Sequence, residues 1–266
     1  MIKRLSVNNA EFGMKDPGGK DSILNYAVKH GVSEYEYPLP KIIELFASKR
    51  PGVYVDAGAN TGLFSLIFAK ANRRNRVVAF ECLHSIAEVL RENVRLNRLG
   101  RRIAIREIAL SEETGKAYFK ETDDDPGFIP TCSTLVEPID PDWHVTARAV
   151  HTDTIDNQLR QLGLAPRKVK LMKVDVEGFE EAVLKGAAQT IRQDRPIIVV
   201  ELLKKTNLDF FNNFVRSNHY KSVLLYKTKI EIEAEIRYKW DSWNHALVPD
   251  EKLGEFVNLY LKAIEE

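Results

Sequence analysis

Four short apolar runs each end in a carboxylate: Val53-Tyr-Val-Asp56, Val77-Val-Ala-Phe-Glu81, Leu171-Met-Lys-Val-Asp175 and Ile198-Val-Val-Glu201. If these runs are strands of an open parallel sheet, their ends lie along one edge, which is where such sheets bind ligands. One acid at a strand end is as often a helix cap or a solvated loop starter as a site residue. Four on one edge argue for a polar site.

Asp56-Ala57-Gly58-Ala59-Asn60-Thr61-Gly62 follows the first run and opens a helix. Gly58 and Gly62 allow a tight turn and a close ligand approach, and the helix start offers free amide hydrogens. A dinucleotide fingerprint, Gly-x-Gly-x-x-Gly, sets its middle glycine beside a pyrophosphate; here Asn60 stands at that place, with an acid two residues before Gly58. That acid repels a pyrophosphate and attracts an ammonium group. The implied ligand is a nucleoside with a cationic amino-acid tail, a description met by S-adenosylmethionine. Glu81 stands where an acid accepts hydrogen bonds from both ribose hydroxyls of an adenosine cofactor, so a free 2′-hydroxyl is required and a 2′-phosphate excluded. Ala109-Leu110-Ser111, after the third strand, is expected to flank the adenine. Cys82 is read as a small residue on the adenosine side.

Lys173, Asp175 and Glu177 alternate with Val174 and Val176, so period two sends the three charges to one side. Unpaired charges inside a buried strand cost several kcal/mol, so these must pair with each other or face a cleft. A structural Lys–Asp pair is the plainer possibility. A lysine with two carboxylates in a cleft suits general-base work on a hydroxyl, or a divalent cation held by oxygen ligands. Asp175 is the first choice to contact the acceptor or the cofactor's methionine end, Glu177 the next, with Lys173 keeping Asp175 ionised and oriented. Mg²⁺ held by Asp175 and Glu201 is the less favoured mechanism, since no histidine or further carboxylate is spaced to complete the site.

The elements around these residues alternate. Strand-like runs at 53–56, 76–81, 102–108, 170–175 and 196–201 are interleaved with helical patterns at 62–71, 85–98 and 180–191. That texture predicts an α/β fold, a doubly wound and mostly parallel sheet with helices on both faces. Residues 220–226 and 230–238 alternate as an antiparallel pair at a sheet edge, after a helix at 208–217 and before a last one at 251–264. Residues 1–20 are polar, end in Asp16-Pro-Gly-Gly19 and read as a mobile arm or small lid; helices at 21–30 and 40–49 are expected to cover the ligand site. Between Ser111 and Lys168 the alternation stops, and Pro126, Pro130, Pro138 and Pro141 prevent a long helix. An insertion near 112–150 is where a substrate loop would sit.

Composition narrows the partners. The 266 residues carry 39 Lys plus Arg against 38 Asp plus Glu, so no global field concentrates a polyanion, and nucleic acid is not expected as a partner. The basic run Arg91, Arg95, Arg98, Arg101, Arg102 and Arg106 reads as a solvated face. Two cysteines, Cys82 and Cys132, exclude a disulfide framework and a cysteine zinc site, and the histidines lack ligand spacing. No apolar run approaches the roughly 20 residues of a membrane helix, and the N-terminus shows no signal-peptide pattern, so a cytoplasmic protein without membrane insertion is expected. Trp143-His144 stands in the insertion and is a candidate for stacking on a sugar; Trp240 and Trp243 lean toward core. Oligomeric state is not legible.

The blocks Val55-Asp-Ala-Gly-Ala-Asn-Thr-Gly62, Val78-Ala-Phe-Glu81, Glu92-Asn-Val-Arg-Leu-Asn97, Ile108-Ala-Leu-Ser111, Thr152-Asp-Thr-Ile-Asp156 and Met172-Lys-Val-Asp-Val-Glu-Gly-Phe-Glu180 resemble the FkbM branch of class I S-adenosylmethionine-dependent methyltransferases. The resemblance spans roughly residues 50–205. It implies a Rossmann-like domain; residues 1–50 and those after Glu201 fall outside the resemblance, and the run of elements alone gives a helical arm or lid over 1–50 before a domain over 51–266. The resemblance also implies methyl transfer to oxygen, commonly a hydroxyl of a sugar, glycan or polyketide-type natural product. Asp56, Gly58, Asn60, Gly62 and Glu81 match its cofactor positions, while Cys82 departs from a common proline. The rival readings are a nicotinamide-dependent oxidoreductase, opposed by Asp56 and Asn60, and a non-catalytic adenosylmethionine-binding module.

Overall fold

The computed structural model describes residues 1–120, 135–136, 147–164 and 167–265. The chain opens on a hairpin of β1 (Ile2–Val7) and β2 (Ala10–Lys15), paired from Ile2↔Lys15 to Val7↔Ala10. This corrects the expectation of a mobile polar arm. Ala10, Phe12 and Met14 alternate with Glu11, Gly13 and Lys15, and that period of two buries one face of β2 in the main core. The free edge of β2 is satisfied by two asparagines. Gly13 N donates to Asn97 Oδ1, Asn97 Nδ2 donates to Gly13 O, and Lys15 N donates to Asn93 Oδ1. Two helices follow, α1 (Ser22–His30), capped by Asp21 on Leu24 N, and α2 (Leu39–Lys49), whose Ile42, Ile43, Phe46 and Ala47 are buried.

The parallel core starts with β3 (Val53–Ala57), buried throughout as both faces of its sheet are covered. It continues through α3 (Leu63–Ala71), β4 (Arg76–Phe80), α4 (His84–Leu96) and β5 (Ile103–Arg106). A smaller sheet then intervenes: β6 (Ala109–Leu110), β7 (Gly115–Lys120), β8 (Leu135–Val136) and β9 (Ala147–Asp153), in the order β6-β9-β7-β8. The expected insertion therefore contains strands, and its proline-rich stretches, Cys132 and Trp143-His144 lie outside the described residues. After α5 (Ile155–Gln161) the chain returns to the main sheet as β10 (Val169–Val174).

The helix expected over 180–191 is two, α6 (Glu180–Lys185) and α7 (Ala188–Asp194). Gly186 sits between them because a Cβ there would lie 2.1 Å from Ser111 O. The remainder is β11 (Ile197–Glu201), α8 (Leu208–Asn218), β12 (Tyr220–Leu225), β13 (Ile230–Glu233), β14 (Asn244–Pro249) and α9 (Leu253–Glu265). The eight-stranded order is β13-β12-β14-β11-β10-β3-β4-β5, with the edge β12, β13 and β14 antiparallel. The sequence reading caught the β12–β13 pair and missed β14, which inserts between β11 and β12.

From β3 the chain winds outward through β4 to β5, then returns to place β10 on the other side of β3. The direction of winding reverses between β3 and β10, which opens a crevice at their carboxyl ends. Gly58 lies there with φ +80°, and a Cβ on it would fall 1.9 Å from Asp175 O. Replacing Gly58 by alanine therefore combines left-handed strain with an overpacked backbone contact. A loss of about 2–5 kcal/mol is expected, read as a lower denaturation midpoint. An unchanged midpoint would mean that the loop is free to move away from β10.

Candidate functional site

The carboxyl edge of β4, β3 and β10 opens on a cavity of about 960 Å³ of empty space, its open mouth included. One end is walled by Cys82, Leu83, Ile86, Ile108, Ala109 and Leu110, with Glu81 among them. The floor is Gly58, Ala59 and Asn60. The other end is closed by Phe64, Lys173, Asp175, Tyr35 and Glu36, with Ile23 of α1 also lining the space.

Glu81 is held by the backbone. Its Oε2 accepts from Asn60 N at 3.1 Å and its Oε1 from Leu83 N at 2.9 Å. Burial pushes its carboxyl up to about 7, against the pull of those amides. The glycine loop is pinned to the same strand end, since Gly58 N and Ala59 N both donate to Phe80 O. Asn60 takes φ +48° and its Oδ1 accepts from Thr61 N. Asn93 Nδ2 donates to Thr61 O, so one asparagine ties the loop to the edge of β2.

Asp56, Ala57, Thr61 and Gly62 shape the loop without lining the cavity. The expectation that Asp56 meets a ligand's ammonium group meets a specific obstacle. Its side chain is buried, Oδ1 accepts from Tyr54 Oη at 3.1 Å, and Oδ2 from Ser65 Oγ at 2.6 Å. Both oxygens face the wall between β3 and α3, and the side chain does not open on the cavity.

Lys173, in β10, is buried at 3% exposure, with Nζ 2.5 Å from Asp175 Oδ2, 3.8 Å from Glu36 Oε2 and 4.9 Å from the Phe64 ring centre. Burial works against its charge, yet Asp175 and then Glu36 hold the ammonium above its ordinary value. Lys173 and Asp175 thus meet as the alternation predicts. Glu177 does not continue the strand: β10 ends at Val174, and Glu177 takes φ +54° in the following turn. That turn nevertheless brings Asp175, Glu177 and Glu201 together, with one carboxylate oxygen of each within 4.8 Å of the others. Glu201 is pushed up to about 8 by burial and then by the Asp175 carboxylate. The objection that no further carboxylate completes a cation site is corrected by the tertiary contact, because Glu177 is the third.

Glu36 was not found from sequence. It stands in the N-terminal segment at φ +48°, and its Oε2 also accepts from Asn244 Nδ2 at 3.3 Å. An isolated glutamate between Tyr35 and Tyr37 carries no pattern, and β14, which supplies Asn244, was missed with it. Cys82 lies in the cavity wall with its thiol pushed up to about 12 by burial and then by Glu81, which disfavours the thiolate. Ser111 is not in the wall. Trp240 is 80% and Trp243 47% exposed, so the core reading for both is overturned: they sit in the loop before β14, outside the packed sheet. In the basic run, Arg91 pairs with Glu88 and Glu107, Arg106 bonds Gln158 and Gln161, and Arg102 donates to Ala69 O and Asn72 O. These arginines fasten elements together. Among the described residues no helix is long and apolar enough to cross a membrane.

Comparison with known proteins bears on the family and the fold. The chain is 30% identical to the methyltransferase sdnD of Sordaria araneosa, over 50% of this chain and 59% of that protein. It superposes on the crystal structure of a methyltransferase FkbM from Methylobacillus flagellatus with a TM-score of 0.50 and 19% identity, over 84% of this chain and 52% of that one. The latter likeness shows the fold, a class I methyltransferase sheet. The chain spans less than two thirds of the length of either relative. The family model of the methyltransferase FkbM domain matches residues 56–222, the stretch from the glycine loop to β12, and the chain belongs to that family.

Proposed function

We propose that the protein is an S-adenosylmethionine-dependent O-methyltransferase acting on a hydroxyl of a sugar, glycan or polyketide-type natural product. The observation that carries the cofactor is Glu81, fixed by Asn60 N and Leu83 N beside an apolar wall and above a glycine floor. The residues fit the group: an acid for two ribose hydroxyls, Ala109, Leu110, Cys82 and Ile86 for an adenine face, and charged groups at the other end for an amino-acid tail. When bound, the cofactor supplies a methyl group on a sulfonium, a leaving group that needs no acid. The chain's own work is to hold the acceptor oxygen in line and receive a proton. Asp175 is the acid proposed to orient the acceptor, with Lys173 holding it in place and Glu177 beside it.

The balanced charge and the walled cavity favour a small molecule or glycan over nucleic acid. Incubation with candidate acceptors and mass spectrometry is the direct test, with a gain of one methyl on a sugar or polyketide hydroxyl as the expected result. Transfer only to protein side chains would overturn the acceptor class. A second reading, in which Asp175, Glu177 and Glu201 would hold a Mg²⁺ that would make the acceptor hydroxyl more acidic, has the convergence of the three carboxylates in its favour.

A further inference from the structure

Resting on the adenosylmethionine reading above, we infer that Glu36, and not Asp56, is the carboxylate that receives the α-ammonium group of the cofactor's amino-acid tail. The nucleoside end of the cavity is defined by Glu81 and the apolar residues around it, so the tail extends toward the opposite end. There the wall is Phe64, Lys173, Asp175, Tyr35 and Glu36, with Glu177 beside Asp175 as the competing carboxylate that the test below separates. An ammonium group brought out of water needs a carboxylate that reaches it.

Asp56 does not reach: it is buried at 1% exposure behind the wall, bonded to Tyr54 and Ser65, and does not line the cavity. Asp175 is already neutralised by Lys173 at 2.5 Å. Glu36 is 3.8 Å from the same ammonium, a weaker pairing, and it lines the cavity. Its placement is built rather than incidental. Asn244, at the start of β14, donates to Oε2, and the neighbouring Tyr35 ring lies 6.2 Å from Phe64 in the first turn after the glycine loop. One carboxylate is thus carried in by the N-terminal segment and braced by the antiparallel edge. Both residues lie outside the 56–222 stretch that marks the family, so the family's own motifs do not provide this contact.

The test compares two thioether nucleosides that differ in the tail. S-adenosylhomocysteine carries the α-amino acid; 5′-methylthioadenosine has the same nucleoside and sulfur without it. By calorimetric titration, Glu36→Gln should weaken S-adenosylhomocysteine about 10–100-fold, the range for a hydrogen bond between charged groups, while methylthioadenosine changes less than about twofold. Asn244→Ala, which removes the brace and leaves the cavity charges in place, should show the same selective loss at smaller size. Thermal midpoints of both variants establish that they are folded. Equal weakening of both nucleosides would make Glu36 a structural lid residue, and selective loss in Glu177→Gln with none in Glu36→Gln would move the contact to Glu177. Either result overturns the assignment. Wild-type protein that binds neither nucleoside would overturn the adenosylmethionine reading itself, a different signature.

Discussion

Glu81→Ala is expected to weaken S-adenosylmethionine binding by about 1.5–3 kcal/mol, because two ribose hydroxyls lose a charged acceptor. The same residue predicts a pH dependence. Its carboxyl is pushed from 4.5 up to about 7 by burial in the free protein, and ribose hydroxyls donating to it favour the ionised form. Affinity should therefore rise as pH increases through about 7, with proton release on binding that disappears in Glu81→Gln. For stability the sign is opposite. Between about pH 4.5 and 7 the folded chain holds this proton while the unfolded chain has lost it, so stability contributed by this group falls as pH rises through that window. Calorimetry in buffers of different ionisation enthalpy reads the proton release directly. Equal affinity in the wild type and Glu81→Ala would remove Glu81 from the ribose.

Asp175→Asn is expected to lower turnover by roughly 10²–10⁴-fold, the usual contribution of a positioned acid or base, with cofactor binding largely retained. Asparagine keeps an oxygen for Lys173 Nζ, which in the native protein lies 2.5 Å from Asp175 Oδ2, so the buried lysine is not stripped of every acceptor. A thermal midpoint near the wild type is the accompanying control. The chelator result separates the two proposed mechanisms. With Asp175 acting alone, EDTA changes nothing. Activity abolished by EDTA and restored by Mg²⁺ would favour the cation held by Asp175, Glu177 and Glu201, and Glu201→Gln should then be as damaging as Asp175→Asn. An Asp175→Asn enzyme with normal turnover would leave Lys173–Asp175 a structural ion pair.

The carboxylates at the ends of β3, β4, β10 and β11 were legible because local rules place them: a buried parallel strand is a continuous apolar run, and its last residue meets the ligand edge. The hairpin β1–β2 was equally local, an alternation in Ala10–Lys15, but its polar setting masked the period of two. Asp56 shows the limit of reading type and spacing. Its position along the chain suits an ammonium partner, yet the neighbours that use its two oxygens, Tyr54 and Ser65, are set by how α3 packs on β3. Glu177 was assigned to a strand face and is delivered instead by a turn with positive φ. Trp240 and Trp243, read as core ahead of sugar stacking, are exposed because β14 takes the interior place beside β11 and leaves the preceding loop outside.

The sequence by itself determined the parallel strands of the core with the helices between them, the glycine loop with Glu81 downstream, and the Lys173–Asp175 pair. Each of these rests on neighbours within a few residues or on the period of one element. Only the tertiary structure decided which acids share a site. Glu36, Lys173 and Asn244 come from an N-terminal turn, a central strand and an edge strand. Contacts between residues 36 and 244 follow from how strand order folds the chain back on itself, and no spacing along the sequence encodes that distance.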